Sequence, residues 1–598
     1  MTRRVGSDTG GTFTDLVLDD GTIAKVPSTA DDPGAAVRSG IEQLLGEGAT
    51  EVWLGHGTTV ATNALLERRG AAVALVTDEG FADVIEIARQ DRPSLYDQRV
   101  DRPVPLVPRP WRYEVRGRLG PDGTELVPVD PASVPAIDER VEAVAVCLLH
   151  SDLAPDHEVA VAAALRTRGL DVSASHELAP EMREYERTVT TVVNAYVRPV
   201  CRRYLQALAA AVDDVAVMSS AAGLIDVERA ADQPARLLLS GPAGGVLAGA
   251  AVAEANGFPD ALTFDMGGTS TDVCLVLGGR PEPAAAREVA GLPVRLPALD
   301  IHTIGAGGGS IARIDDGGAL VVGPESAGAR PGPACYGHGG TSPTVTDANV
   351  VAGRIPPNAV FPGLGALDVG AAQRALDAAG CAADDVLAVV DANMVQALRR
   401  VSVERGVDPR RLALVAFGGA GPLHACALAD ALEIPTVVVP PRAGVFSAVG
   451  ILGAPRQVDL VRSWPTPLDH TGLERAVDEL VVAARNQLQD ATIVTHAFDC
   501  RYAGQSHELR VDDVSAFEAE HGRRNGYTRP GTPVEVVAVR VTAQSPSPVT
   551  GADLPPVDRP SAVGPAVIAE PDCTIYVPEG WTAANGAAGA LLLRRPPP

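Results

Sequence analysis

The chain has 598 residues, 46% of them hydrophobic, and a formal net charge of −25. A single core rarely grows beyond ~250–300 residues, so several domains are expected. The acidity, with no basic run, argues against nucleic acid and anionic membrane as partners, and no apolar stretch is long enough to span a bilayer. The first residues run straight into a strand-like segment without a signal peptide, and a cytoplasmic location is expected. The eight cysteines form no Cys-x-x-Cys pair and lie in apolar segments, as buried free thiols of a reducing compartment would. The eleven histidines show no zinc-type spacing. Lys25 is the only lysine.

Strands are expected at 5–7, 14–18 and 22–26. Between the first two lies Asp8-Thr9-Gly10-Gly11-Thr12-Phe13-Thr14-Asp15, which reads as a strand, a Gly-Gly turn and a second strand. An amphipathic helix follows at 33–45, with Ala36, Val37, Ile41, Leu44 and Leu45 on its apolar face. A short strand at 52–54 leads into His56-Gly57-Thr58-Thr59, then a helix at 60–69 and a strand at 72–77. This alternation predicts a mostly parallel sheet. Residues 92–110, rich in Pro and Arg, read as an irregular loop. A strand at 143–149 and a helix at 155–166 complete an N-terminal α/β region placed at 1–190, and 184–211 reads as a long helix crossing between domains.

The central region, 191–464, repeats the first motif 257 residues later, as Asp265-Met266-Gly267-Gly268-Thr269-Ser270-Thr271-Asp272. Seven of eleven positions from Asp8 and from Asp265 are identical. Glycines free the backbone to offer N–H groups to an anion, and threonine hydroxyls add donors. A carboxylate ending each leading strand can hold Mg²⁺ through water. Two such hairpins face to face form a clamp for the phosphates of ATP. Gly10, Gly11, Thr12, Thr14, Gly267, Gly268 and Thr269 are the candidate phosphate contacts, with Asp8, Asp265 and Asp272 as catalytic candidates and Asp8 and Asp265 as the metal-holding pair. No Walker A sequence is present.

Three further Gly-rich stretches, 240–245, 305–310 and 417–422, read as loops. Gly418, Gly419 and Gly421 are the candidate adenosine site, and Gly307 and Gly308 a second backbone approach to phosphate or substrate. His56, Thr58, Thr59 and Asn63, beyond a strand end, are candidate substrate contacts. Asp300 and His302 are a possible general-base pair or a structural one. Asp347 at a helix start reads as a cap. Cys335 has no base partner by spacing and is not a nucleophile. A C-terminal α+β region, 465–598, has strand patterns at 498–502 and 534–542 and ends in Arg594-Arg595-Pro596-Pro597-Pro598, expected to fray.

Together these stretches resemble the A-type (ATP-binding) subunit of the hydantoinase/5-oxoprolinase family, which includes acetone-carboxylase-type subunits. The resemblance runs through Asp8 to Asp15, His56 to Arg68, Glu184 to Thr188, residues 240–245, 264–272, 300–310 and 332–347, Phe417 to His424, and Arg501 to Leu509. It implies an actin/sugar-kinase-like ATPase with two ribonuclease-H-like halves closing on ATP and Mg²⁺. It also implies ATP-dependent opening of a cyclic amide by phosphorylation of the amide oxygen, with a separate B-type subunit as partner. The alternatives are a subunit of an acetone/acetophenone-type carboxylase, a non-catalytic ATP-driven switch or reactivation factor, and a sugar kinase. The chain departs from the family where Ser220-Ala221-Ala222-Gly223 stands in place of the Ser-Asn-Gly-Gly of many relatives, and the segments around Pro135 to Glu142 and at the C-terminus read as shortened.

Overall fold

The computed structural model describes all residues except 1, 30–31, 92, 98, 285–286, 357–359, 362–364 and 596–598. Of the terminal stretch 594–598 expected to fray, Pro596–Pro598 lies outside them, whereas Arg594 ends a strand paired with Thr436 and Thr582 and Arg595 reaches Asp430 at 2.7 Å, so these two are held in place. Strands β1 (Arg3–Thr9), β2 (Phe13–Leu18) and β3 (Ile23–Pro27) form an antiparallel meander. Helix α1 (Pro33–Leu45) has the predicted bounds, with Asp32 accepting from the Ala35 N–H as its cap. Strand β4 (Val52–Thr58) lies parallel to β1, and helix α2 (Val60–Leu66) follows it. Helix α3 (Glu184–Ala209) returns the chain to β5 (Asp214–Met218), which pairs parallel with β4.

The second half repeats this order. Helix α4 (Gly241–Ala255) precedes β6 (Ala261–Met266), β7 (Thr271–Leu277) and β8 (Arg280–Pro281), an antiparallel meander. Strand β9 (Ala413–Phe417) runs parallel to β6. After helix α5 (Gly421–Leu432), β10 (Thr436–Val439) runs parallel to β9. Each half thus has a third-second-first-fourth-fifth strand order with the same pairing senses. Helix α6 (Phe446–Gly453) then crosses back between the halves.

Both sheets extend beyond this shared core. Leu224–Asp226, Arg456–Ser463, Val534–Ser545, Ile493–Tyr502 and Leu509–Val511 continue the first sheet to ten strands. Leu591–Arg594, Thr582–Asn585 and Ala562–Val563 continue the second beyond β10. Residues beyond 464 therefore complete both sheets. The expected mostly parallel sheet is a mixed one, because the tight hairpin turns can join only antiparallel neighbours. The strand predicted at 72–77, Val73–Asp78, leaves the first sheet for a separate five-stranded one with 112–119, 125–130, 143–146 and 172–174. The stretch 240–245, read as a loop, is the first turns of α4. Its glycines serve helix packing instead of turning the chain.

That packing is very close. A Cβ on Gly450 of α6 would lie 1.9 Å from the Gly244 carbonyl oxygen of α4. A Cβ on Gly6 of β1 would lie 2.3 Å from the Ala448 carbonyl oxygen of α6. Around it, Phe264, Phe417, Phe446 and Ile451 are buried in one apolar core. All eight cysteines are free and buried. Among the described residues no helix is long and apolar enough to cross a membrane.

Gly450→Ala is expected to destabilise the protein by at least about 1–3 kcal/mol, because backbone atoms cannot move away as a side chain can. Thermal unfolding of the soluble fraction measures it. Ala222, in the family-divergent stretch, has φ +63, a left-handed conformation that costs an alanine about 1 kcal/mol. Ala222→Gly should therefore raise the unfolding midpoint, and an unchanged or lower midpoint would contradict this account.

Candidate active site between two repeated hairpins

The turns of the two hairpins close alike: the Gly10 N–H donates to Phe13 O and the Gly267 N–H to Ser270 O, both at 3.0 Å. The N–H groups of Gly11, Thr12, Gly268 and Thr269 have no partner among the described residues. The two turns meet tip to tip, with Thr12 Oγ1 3.2 Å from Thr269 Oγ1. Between them lies a cavity of about 380 Å³, lined by Asp8, Gly10, Gly11, Thr12, Asp15, Lys25, Asp265, Gly267, Thr269, Asp272, Gly418 and Gly419 among others.

Register places the carboxylates. Asp8 faces Asp15 across β1–β2, and Asp265 faces Asp272 across β6–β7. Each leading aspartate has a glycine beside it on the parallel neighbour strand or its end. A Cβ on Gly57 would lie 2.9 Å from Asp8 Oδ1, and one on Gly418 would lie 2.4 Å from Asp265 Oδ1. Gly418, at φ +81, could not carry a side chain without strain in any case. Burial pushes all four carboxyls up: Asp8 well above the usual range, helped by the charges of Asp15, Asp265 and Asp272, Asp265 to about 7 and Asp272 to about 6. Asp15 is also raised, but the Lys25 ammonium at 2.6 Å opposes its burial. Ser447 Oγ donates to Asp265 Oδ2 at 3.1 Å, and Thr303 Oγ1 donates to Asp272 Oδ1. Asp8 Oδ1 is buried with no hydrogen-bond partner among the described residues.

An unpartnered carboxylate oxygen inside a cluster of four acids fits a hard divalent cation with oxygen ligands. The other predicted residues are placed as follows. Thr59 and Asn63 line the cavity, hydrogen-bonded to each other at 3.3 Å. His56 is fully buried inside β4, bonded through Nε2 to the Tyr204 hydroxyl at 2.6 Å, and burial lowers its pKa to about 3. It stands behind the cavity as a neutral ring. Thr58 and Thr14 are buried in the sheet. Gly421 begins α5.

Gly307 and Gly308 do not line the cavity. The Gly307 N–H donates to Ser310 Oγ within its own loop, and the Gly308 N–H donates to Gly267 O, bracing the second turn from behind, so both donors are already used. Asp300 pairs with Arg405, and His302 opens onto a different cavity with Arg400 and Glu404. Strand alternation explains this: Thr303 faces the clamp, so its neighbour His302 faces away. Asp347 completes a capping box with Thr344, as expected of a cap.

Five contributors lie outside the candidates that the sequence offers: Lys25, Asp15, Thr303, Ser447 and the Gly444 backbone. Asp15 was legible by symmetry with Asp272. The stretch 440–447 had the same strand, turn and helix pattern as 417–422, which was the available signal.

The family model described as Hydantoinase/oxoprolinase matches residues 187–458, and the one described as its N-terminal region matches residues 4–169. Caprolactamase subunit alpha of Pseudomonas jessenii is 35% identical, covering 89% of this chain and 86% of its own. The acetophenone carboxylase gamma subunit of Aromatoleum aromaticum is 33% identical, covering 85% of this chain and 75% of its own. The crystal structure of the ATP-dependent caprolactamase from Pseudomonas jessenii superposes with a TM-score of 0.85 at 31% identity, over 99% of this chain and 100% of that one.

The raised carboxyls set a pH dependence. Asp265 and Asp272 keep their protons to about pH 7 and 6 when folded, against 3.8 as the ordinary value. Their contribution to stability is complete below the ordinary value and is lost as pH rises through 6 and 7. Lowered carboxyls such as Glu181 act oppositely, so the readout is a difference. In metal-free buffer, the unfolding midpoint of the wild type relative to Asp265→Asn is expected to fall as pH is raised to 8. Parallel profiles would contradict the assignment.

Proposed function

This chain belongs to the hydantoinase/oxoprolinase family, and we propose that it is the ATP-binding subunit of an ATP-dependent hydrolase of cyclic amides. The observation that carries the reading is the pair of Asp-x-Gly-Gly-Thr hairpins facing across one acidic cavity, with Thr12 and Thr269 in contact. The repeated five-strand order supports an actin- and sugar-kinase-like ATPase, in which two ribonuclease-H-like halves close on ATP.

In this reading the N–H groups of Gly11, Thr12, Gly268 and Thr269 hold phosphate oxygens, and Gly418 and Gly419 leave room for the nucleoside. Asp8 and Asp265 hold Mg²⁺ through water. Mg²⁺, when bound, neutralises phosphate charge and favours its transfer. Amide resonance makes an unstrained cyclic amide a poor electrophile. Phosphorylation of its oxygen creates a good leaving group, so that water can open the ring. The fixed N–H donors stabilise charge on the transferred group without reorganising. Thr59 and Asn63, on the α2 side of the cavity, are placed to meet the substrate. Relatives named as alpha and gamma subunits support a separate partner chain; in this reading that partner is of B type and completes hydrolysis.

A second reading has one observation in its favour, the similarity to an acetophenone carboxylase subunit. The same clamp would then phosphorylate an enolate or bicarbonate.

Mg²⁺-dependent ADP release, measured with the partner chain, is expected to rise with a lactam, hydantoin or 5-oxoproline. Asp8→Asn should lower it by about 10–100-fold, the usual cost of losing a residue that orients a metal's ligands. Stimulation only by a ketone with bicarbonate would move the protein to the carboxylases. Tight ATP binding with no substrate response would favour an ATP-driven switch.

A further inference from the structure

The two hairpins repeat each other in sequence and register but differ at one chemical point. Asp15 and Asp272 are equivalent positions. Asp272 is satisfied by a neutral hydroxyl, that of Thr303. Asp15 instead takes the ammonium of Lys25, directly opposite it on β3, with Nζ 2.6 Å from Oδ1. A hydroxyl therefore suffices to hold a carboxylate in this setting, and the lysine is not needed merely to bury Asp15. Strand β8 brings no matching cation, since its Arg280 lines a different cavity.

Lys25 is the only lysine of a chain with 50 basic residues. Arginine fills every other cationic position, including the buried ion pairs. Among the described residues Lys25 is also the only cationic side chain lining the cavity between the hairpins, against four carboxylates. An ammonium has three donors. One goes to Asp15 and a second to the Gly444 carbonyl at 3.3 Å, on the loop before α6. Among the described residues the third has no partner and faces the cavity. A compact charge on a flexible stem can follow a group whose charge moves, which a planar guanidinium fork does less well.

We propose that Lys25 is a catalytic residue whose ammonium donates to the phosphoryl group being transferred, with Asp15 and the Gly444 carbonyl aiming it. During transfer the bond from the γ-phosphorus to the β–γ bridging oxygen breaks and a bond to the substrate oxygen forms. Lys25 keeps all three protons throughout. This role rests on the ATP reading above.

The single lysine makes a direct test possible. An acyl phosphate of ATP carries a reactive carbonyl beside the γ-phosphate. A lysine amine within reach attacks it, an amide forms, ATP leaves with the C–O electrons, and the nitrogen gives up a proton to solvent. The intact mass of the full chain, with its partner present, then reports Lys25. Lys25→Gln serves as the blank for the N-terminal amine. One acyl group on Lys25 is expected, slowed at least tenfold by excess MgATP. ATP binding seen by calorimetry with no label on Lys25, or labelling indifferent to MgATP, would overturn the role while leaving the ATP reading intact. Absence of ATP binding would overturn both. In folded Lys25→Gln, kcat should fall about 10²–10³-fold, as for loss of a transition-state donor. Unchanged turnover would make Lys25 a strut for Asp15 alone.

Discussion

The active-site geometry depends on one backbone contact, where α6 crosses α4 with Gly450 against the Gly244 carbonyl. No side chain larger than hydrogen fits at that crossing. The same short helix lies against β1, where Gly6 meets the Ala448 carbonyl. It also sends Ser447 to Asp265 at the end of β6. Both hairpins are therefore referenced to α6, one through its backbone and the other through a hydroxyl. The loop before α6 adds a third tie, because the Gly444 N–H donates to Asp572 and its carbonyl accepts from Lys25. With both halves fixed to one rigid element, the two turns come close enough for their threonines to touch.

The site conflicts with stability, and the conflict is local. Four carboxylates, Asp272 buried and the other three half-buried, share one ammonium, and among the described residues the buried Asp8 Oδ1 has no partner. Burying charge without a partner is costly, so such a cluster persists only where the surrounding structure imposes it. Gly57, Gly241 and Gly418 keep the space around Asp8 and Asp265 open, when larger residues there would have filled it. Strongly raised carboxyls in a cleft are the expected signature of a functional site.

Elsewhere, several buried charges are paired. Arg540 bridges Glu181 and Asp499, each at about 2.7–2.8 Å, and Arg295 reaches Glu181 at 2.7 Å. Arg187, fully buried, binds Asp152 and the carbonyls of Leu148 and Glu181. These contacts join the segment before α3, the central region and the C-terminal strands. Removing one partner would leave a buried charge uncompensated, which is costly even where the intact pair contributes little net stability. Arginine's several fixed donors suit it to such multiple contacts.

The sequence by itself determined the repeated hairpins, the helix at 33–45, the capping role of Asp347 and the family. Each of these is a local pattern: a turn that needs glycine, an apolar stripe, a cap, a string of motifs. What only the tertiary structure decided was long-range. It turned 240–245 from a loop into a helix, because those glycines answer to Gly450 two hundred residues away. It put His302 on the far face of its strand and spent the Gly308 donor on the second turn. It brought Ser447 and Gly444 into the cavity, and it spread the residues beyond 464 over both sheets. Local sequence fixes the conformation of a turn or helix, whereas the choice of neighbours depends on packing that no short stretch contains.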